Sequence, residues 1–353
     1  MANLTYNQIA RIKVFGIGGA GCNAVARMVR DGVQGVEFYV CNTDIQVLDS
    51  SPCANKIVLG KDGLGAGGNP ENGRKAALET EEEIRRAMEG SDMIFLTCGL
   101  GGGTGTGAIP VFAKIAKDLG ALSVAVVTKP FTFEGRRRAN YAEGGLKELK
   151  EYIDSLIIVS NDRLLEIIGH IPFEQAFQEA DNILRQSVQT ITDLIAVPAL
   201  INLDFADVKS IMENQGQALI GIGMAEGDNK AQEAAARAVA SPLLEGDIRG
   251  ARNAIVNVTG GTGMTLYDSS EVIDFIRESS GTDIDIIYGV AVNDKLGDAI
   301  IVTIIATGFD EEDEVSVAEV ESRPSFDLKS PVMDDKDDEV DSNIPQFFRK
   351  LEG

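Results

Sequence analysis

Two glycine-rich stretches carry residue types suited to holding phosphate. GIGGAG sets Gly16, Gly18 and Gly21 in a G-x-G-x-x-G pattern, after the apolar run Ile12 to Phe15 and before a helical stretch, AVARMVRDG. Asp44 lies 23 residues beyond Gly21, close to where a dinucleotide site places its ribose-reading acid. Backbone N–H groups approach phosphate oxygens most closely where side chains are absent, and a helix N-terminus adds positive potential. The second stretch, GGGTGTG, runs from Gly101 to Gly107 between another apolar run and another helical one, with Thr104 and Thr106 as hydroxyl donors. A dinucleotide needs one such loop; two on neighbouring strands suit the triphosphate of a single nucleotide. GxxxxGK[ST] does not occur, so the P-loop enzymes are excluded. An NAD-dependent oxidoreductase is the competing reading of GIGGAG and Asp44, and it leaves GGGTGTG unexplained.

The elements around these loops alternate. Apolar runs at IKVF, VEFYVCNTD, MIFLTCGL, SVAVVTKPF and SLIIVSN are separated by helical stretches, including one from about Arg74 to Met88. Alternation of this kind predicts an α/β domain, a Rossmann-like parallel sheet covered on both faces. Phe177, Ala180, Ile183, Leu184, Val188, Ile191, Leu194 and Ile195 then line one face of a single long helix, from about Pro172 to Val197 with Pro198 as a stop signal. Beyond it, four strand-like runs and two helical ones (KAQEAAARAVASPL, SSEVIDFIRESS) predict a second α/β or α+β domain with a mixed sheet. The expected division is an extension at 1–10, a nucleotide domain at 11–171, the central helix at 172–201, a second domain at 202–309, an acidic disordered linker at 310–343 and a terminal peptide at 344–353.

Composition sets limits. The chain of 353 residues carries a net charge of −23, which argues against a surface that grips nucleic acid or anionic lipid. Segment 310–343 alone holds 14 acids and three bases, too little apolar surface to offset ordering entropy. One histidine, His170, excludes histidine-rich zinc sites, and four cysteines without a CxxC pair point to a reducing cytosol. No apolar run approaches the length of a membrane span, and the N-terminus lacks a secretory h-region.

GGGTGTG, together with NTDIQ, GLGAGGNP, PFTFEG and NLDFAD in the same order, resembles the tubulin/FtsZ family of GTPases from about Arg11 to Lys350. The resemblance implies a GTP/GDP site. Gly18, Gly19, Ala20, Gly21, Cys22 and Asn23 would form the first phosphate loop, with Cys22 standing where the family often has Asn. Asp44 would lie near the phosphates and a magnesium ion held mainly by them and water, with a monovalent cation as a further candidate and no dedicated protein metal site. The loop from Gly63 to Pro70, which includes Gly68, would sense the γ-phosphate. Gly102, Gly103, Thr104 and Gly105 would form the central cradle. Glu134 and Arg138 would meet the ribose and phosphate side, Asn161 the guanine, and Phe177 the face of the base. Asp181, one helical turn after Phe177, suits guanine because a carboxylate accepts from both the ring N–H and the exocyclic amine; Asn182 is the alternative reader.

The resemblance also implies a shared active site. A helix from Phe177 to Asn202 spans on the order of 35 Å, so Asp204 and Asp207 could not reach the nucleotide at its start. They could reach that of another subunit stacked head to tail, a contact that builds filaments. In the family these acids, with Asn202, form the loop that completes GTP hydrolysis in the next subunit of the cytoplasmic division ring at midcell. A helix N-cap is the alternative role for Asp204. Ile344, Pro345, Phe347, Phe348 and Arg349 match the peptide that docks on membrane adaptors and ring regulators. The resemblance implies no direct membrane insertion and no nucleic acid partner.

Overall fold

The computed structural model describes residues 10–168, 172–196, 200–201, 204–241 and 246–309. Pro198, Asn202, His170, segment 310–343 and the peptide at 344–353 lie outside the described residues, as do residues 1–9.

In chain order the first half runs β1 (Ile12–Ile17), α1 (Gly18–Arg30), β2 (Val36–Asn42), α2 (Ile45–Ser50), β3 (Asn55–Val58), α3 (Pro70–Glu79), α4 (Glu81–Met88), β4 (Met93–Gly99), α5 (Thr104–Asp118), β5 (Leu122–Lys129), α6 (Arg136–Lys150) and β6 (Ser155–Ser160). It continues with α7 (Asn161–Ile168), α8 (Phe173–Ala196), α9 (Phe205–Met212), β7 (Gly216–Ala225), α10 (Lys230–Val239), β8 (Asn253–Gly260), α11 (Leu266–Ser280), β9 (Asp285–Val292) and β10 (Ile300–Thr307).

The strands lie in the order β3-β2-β1-β4-β5-β6-β7-β10-β8-β9. β1 to β6 are parallel throughout, in the order of the doubly wound dinucleotide-binding sheet. The second half is mixed: β10 is antiparallel to β7 and β8, and β9 is parallel to β8. The sheet continues from the first half to the second through three residue pairs of β6 and β7, from Ser155–Gly216 to Ile157–Ala218.

Alternation along the central strands sends Val124 and Val126 to one face of the sheet, beneath α1, α8 and α9, and Ala125 and Val127 to the other, beneath α3 to α6. On α8 the expected stripe is realised: Ile183, Leu184, Val188 and Ile191 are all buried, each contributing roughly 1.5–3 kcal/mol. Alanines of α10 pack so tightly on β7 that a Cβ at Gly223 would lie 2.1 Å from Ala234 O.

The helix expected from Arg74 to Met88 is in fact two. It starts earlier, at Pro70 behind the N-cap Asn69, and breaks at Thr80. The Thr80 hydroxyl accepts from Gly60 N–H at 2.8 Å and donates to Ala76 O at 3.1 Å, anchoring the break to the end of β3. Helix α6 is not apparent from pattern because Gly144 and Gly145 weaken its helical signal; at Gly145 a Cβ would fall 2.6 Å from Thr106 Cγ2. Among the described residues no helix is long and apolar enough to cross a membrane.

Candidate functional site

Helices α1 and α5 both begin where a parallel strand ends, and their N-termini meet. Neither has a side-chain cap. Gly18, at φ +73°, sits so close to α5 that a Cβ on it would lie 2.8 Å from Gly105 N. The hydroxyls of Thr43 and Thr104 are hydrogen-bonded at 2.6 Å, tying the end of β2 to the start of α5. Each helix N-terminus carries the equivalent of about half a positive charge. Two uncapped ones side by side form an anion site.

The glycines divide into two groups. A Cβ at Gly16 would lie 2.3 Å from Gly21 O, one at Gly21 2.2 Å from Thr97 O, and one at Gly107 1.9 Å from Pro70 O. Gly103 and Gly105 are similarly pressed against the 66–69 loop and the end of β4. These glycines let backbones touch. Only Gly19 and Gly102 of the two loops face open space, with nothing within 4 Å of an added Cβ. The glycine content of GGGTGTG therefore also serves helix and loop packing, which a backbone cradle alone would not require. The reading of Thr106 as a hydroxyl donor is corrected: it is buried, and its hydroxyl accepts from Gly101 N–H at 2.8 Å. The side chain of Cys22 is also turned inward, towards Gly16 O and Cys41 O at 3.6 Å, so that only its backbone faces the loop. Burial pushes its thiol up to about 12.

Gly63, Gly65, Gly67 and Gly68 all have positive φ, a conformation that excludes most side chains. Their loop is held to the Asp44 segment by Ile45 N–H to Gly63 O at 3.1 Å and Gly65 N–H to Thr43 O at 2.9 Å. Asp44 caps α2, one carboxylate oxygen accepting from Gln46 N–H at 2.9 Å. Among the described residues no three His, Cys, Asp or Glu side chains converge as a metal site would require.

Next to the start of α5, Phe131 to Arg138 makes a tight turn. Glu134 accepts from Phe131 N–H at 2.9 Å and pairs with Arg138. The Arg138 backbone lies against Gly101. Asp162 accepts from Thr132 N–H at 2.9 Å and from its hydroxyl at 2.6 Å, fixing the turn to the start of α7. There Asn161 is buried, and its side-chain oxygen has no hydrogen-bond partner. Phe177 meets Phe131 edge-on, ring centroids 5.2 Å apart.

Between α1, α2 and the start of α8 opens a cleft of about 520 Å³, lined by Asn23, Arg27, Arg30, Ser50, Phe177 and Asp181 among others. Asp181 is only 8% exposed. Burial raises its carboxyl to about 7, against the opposing pull of Arg27 and a hydrogen bond with Asn23. Asn182 does not line the cleft; its side-chain oxygen accepts from Arg27 Nη1 at 3.1 Å.

Asp204 and Asp207 do not line this cleft. Asp204 caps α9, accepting from Asp207 N–H at 2.8 Å, and both residues are exposed. The far end of α9 is fastened where β6 begins, with Met212 O accepting from the Ser155 hydroxyl at 2.6 Å. Asn161 follows the last residue of β6; six residues of strand put roughly 20 Å between these points. Thr43 and Arg27 were not among the sequence candidates. Thr43 could have been found from its place in CNTD, whereas Arg27 looks like any charged residue of an amphipathic helix.

Residues 11–169 match the family model for the Tubulin/FtsZ family, GTPase domain, and residues 216–310 match that for the FtsZ family, C-terminal domain. A solved structure of an FtsZ dimer from M. jannaschii is 44% identical, with 85% of this chain and 89% of that one covered and a TM-score of 0.81. CetZ2 from Haloferax volcanii, solved as a GTPγS-bound protofilament, shares the fold at 20% identity, with 88% and 96% of the chains covered and a TM-score of 0.73. These matches set aside the oxidoreductase reading of GIGGAG. The chain belongs to the tubulin/FtsZ family of GTPases.

Proposed function

We propose that the chain binds GTP in this crevice, polymerises head to tail, and hydrolyses GTP only where a second copy completes the site. The N–H groups of Gly18, Gly19, Ala20, Gly21, Cys22 and Asn23, with those of Gly102, Gly103, Thr104 and Gly105, face the phosphates. The loop carrying Gly68 closes over the γ-phosphate. Glu134 and Arg138 border the ribose and phosphate side. Guanine stacks on Phe177, with Asp181 accepting its two N–H donors and Asn161 offering an oxygen that has no partner inside the protein. Magnesium, carried on phosphate oxygens beside Asp44, would offset charge there; a monovalent cation is a further candidate.

Catalysis then asks for positioning more than covalent chemistry. Asp204 and Asp207, with Asn202, orient a water of the neighbouring subunit's site. The water oxygen bonds to the γ-phosphorus as the bridging bond to the β-phosphate breaks, and GDP leaves with that electron pair. The cap made by Asp204 holds the loop without excluding this role.

The observation that carries the proposal is the placement of the acidic pair. It begins α9 and is exposed outside the cleft, while the far end of that helix, at Met212, is fastened at the start of β6, the opposite end from Asn161. A contact between unlike ends does not close on itself and gives filaments. The M. jannaschii relative was solved as a dimer and the CetZ2 relative as a protofilament. On this reading the filament is that of the cytoplasmic division ring at midcell, and the peptide at 344–353 engages adaptors and regulators through Ile344, Pro345, Phe347, Phe348 and Arg349.

Phosphate release against protein concentration tests it, with GTP and magnesium, for the wild type and Asp207→Ala. Activity per molecule should rise steeply above a threshold, and the variant should bind GTP without turning it over. Flat specific activity down to high dilution would mean that one subunit suffices.

A further inference from the structure

The cleft holds one acid and two cations. From α1 come Arg27 and Arg30; the Cys22 thiol beneath them is turned inward and kept neutral by burial. From α8 comes Asp181. The α2 side supplies only Val47, Ser50 and Ser51, all uncharged. Guanine can pair twice with Asp181 only if the carboxyl is ionised, because a protonated oxygen becomes a donor and meets a donor. Asp181 is nearly enclosed, a setting that favours the neutral form.

Arg27 acts on both candidate readers of the base. Its Nη1 donates to Asn182 Oδ1 at 3.1 Å, and the Asn182 amide donates in turn to Glu179 at 3.3 Å. Asn182 is thereby engaged at both ends and held towards α1. The same guanidinium lines the cleft with Asp181 and opposes the effect of burial on that carboxyl.

We propose that Arg27 is a positioning residue for base recognition: it ties Asn182 away from the base and favours the carboxylate form of Asp181 that accepts both guanine donors. The inference rests on the guanine-nucleotide reading of the cleft. It makes nucleotide affinity depend on pH through Asp181, with Arg27 setting where the dependence falls. The carboxylate form binds, so affinity rises as pH rises through the midpoint and levels off above it. Removing the cation moves the midpoint upward.

The test is equilibrium binding of GDP, XDP and ADP to the full chain, from about pH 6 to about pH 9, where each unit below a midpoint weakens binding about tenfold. The terminal phosphate of GDP titrates in all variants alike, so the readout is the difference between variant curves. Arg27→Met should weaken GDP about tenfold near pH 7 and return to within about twofold of wild type near pH 9. Arg27→Gln, which keeps a donor for Asn182 but no charge, should show the same shift and guards against a folding defect in the first variant. Curves that are parallel or superimposed across the range in both variants would overturn the proposal, since a packing role lowers affinity equally at every pH. The guanine reading has its own control: Asp181→Asn should lose GDP and favour XDP, and wild type should reject ADP. Failure there would overturn the reading of the cleft itself, whatever Arg27 does.

Discussion

On the proposed reading of the cleft, Asp181 links base recognition to stability. Its carboxyl titrates near 7 in the folded, nucleotide-free chain, against an ordinary value of 3.8, chiefly because burial disfavours the charge. The folded form therefore keeps a proton that the unfolded form has lost. Stability of the nucleotide-free protein should fall as pH rises from about 4 to about 7 and level off above, by on the order of 4 kcal/mol. Asp181→Asn removes the charge, so its melting temperature at about pH 8 should exceed that of the wild type, with the two converging near pH 4. Thermal unfolding across pH checks this, and a constant offset at every pH would mean that Asp181 is not the titrating group. The same variant should lose guanine selectivity, so one carboxyl trades stability for recognition.

Among the elements, the seam between α3 and α5 is the tightest contact near the phosphates. At Gly107 a Cβ would fall 1.9 Å from Pro70 O, and at Gly73 one would fall 2.4 Å from Gly103 O. Neither neighbour is a flexible side chain, so the helices themselves would have to part. Gly107→Ala should destabilise the fold by about 3 kcal/mol or more, read as a lower melting temperature. Gly102→Ala meets nothing within 4 Å and should leave stability within about 1 kcal/mol of wild type, while weakening nucleotide binding by crowding the phosphates. Equal melting temperatures for the two would show that the seam yields more easily than backbone contact allows.

For the whole molecule, the proposed mechanism puts two halves of a site at unlike ends of the chain. A mixture should then rescue what each half-defective variant lacks. Asp207→Ala keeps a nucleotide cleft without a working acidic loop; Asp181→Asn keeps the loop with an impaired cleft. Each alone should release little phosphate. In a random copolymer of equal parts, about one contact in four joins a good cleft to a good loop, so the mixture should recover about a quarter of wild-type turnover. Absence of recovery in polymer shown by sedimentation to contain both variants would refute completion across the interface.

What could be read from the sequence is what depends on near neighbours along the chain. Strand alternation, the 3.6-residue stripe on α8 and the glycine loops at strand ends are local patterns; they point to a phosphate site, while the base candidates come from the family resemblance. The four-residue β3 is too short to show a period, and the glycines inside α6 masked a helix whose backbone must lie against Thr106. Tertiary structure alone decided which glycines serve packing and which leave open space, because that depends on the backbone opposite each one. It also chose between adjacent residues: Asp181 lines the cleft while Asn182 is bound to Arg27, 155 positions away. The sequence determined that acids follow the long helix. Where α9 is fastened, and that those acids line no part of the cleft, follows from how helices cross a sheet, which no local pattern records.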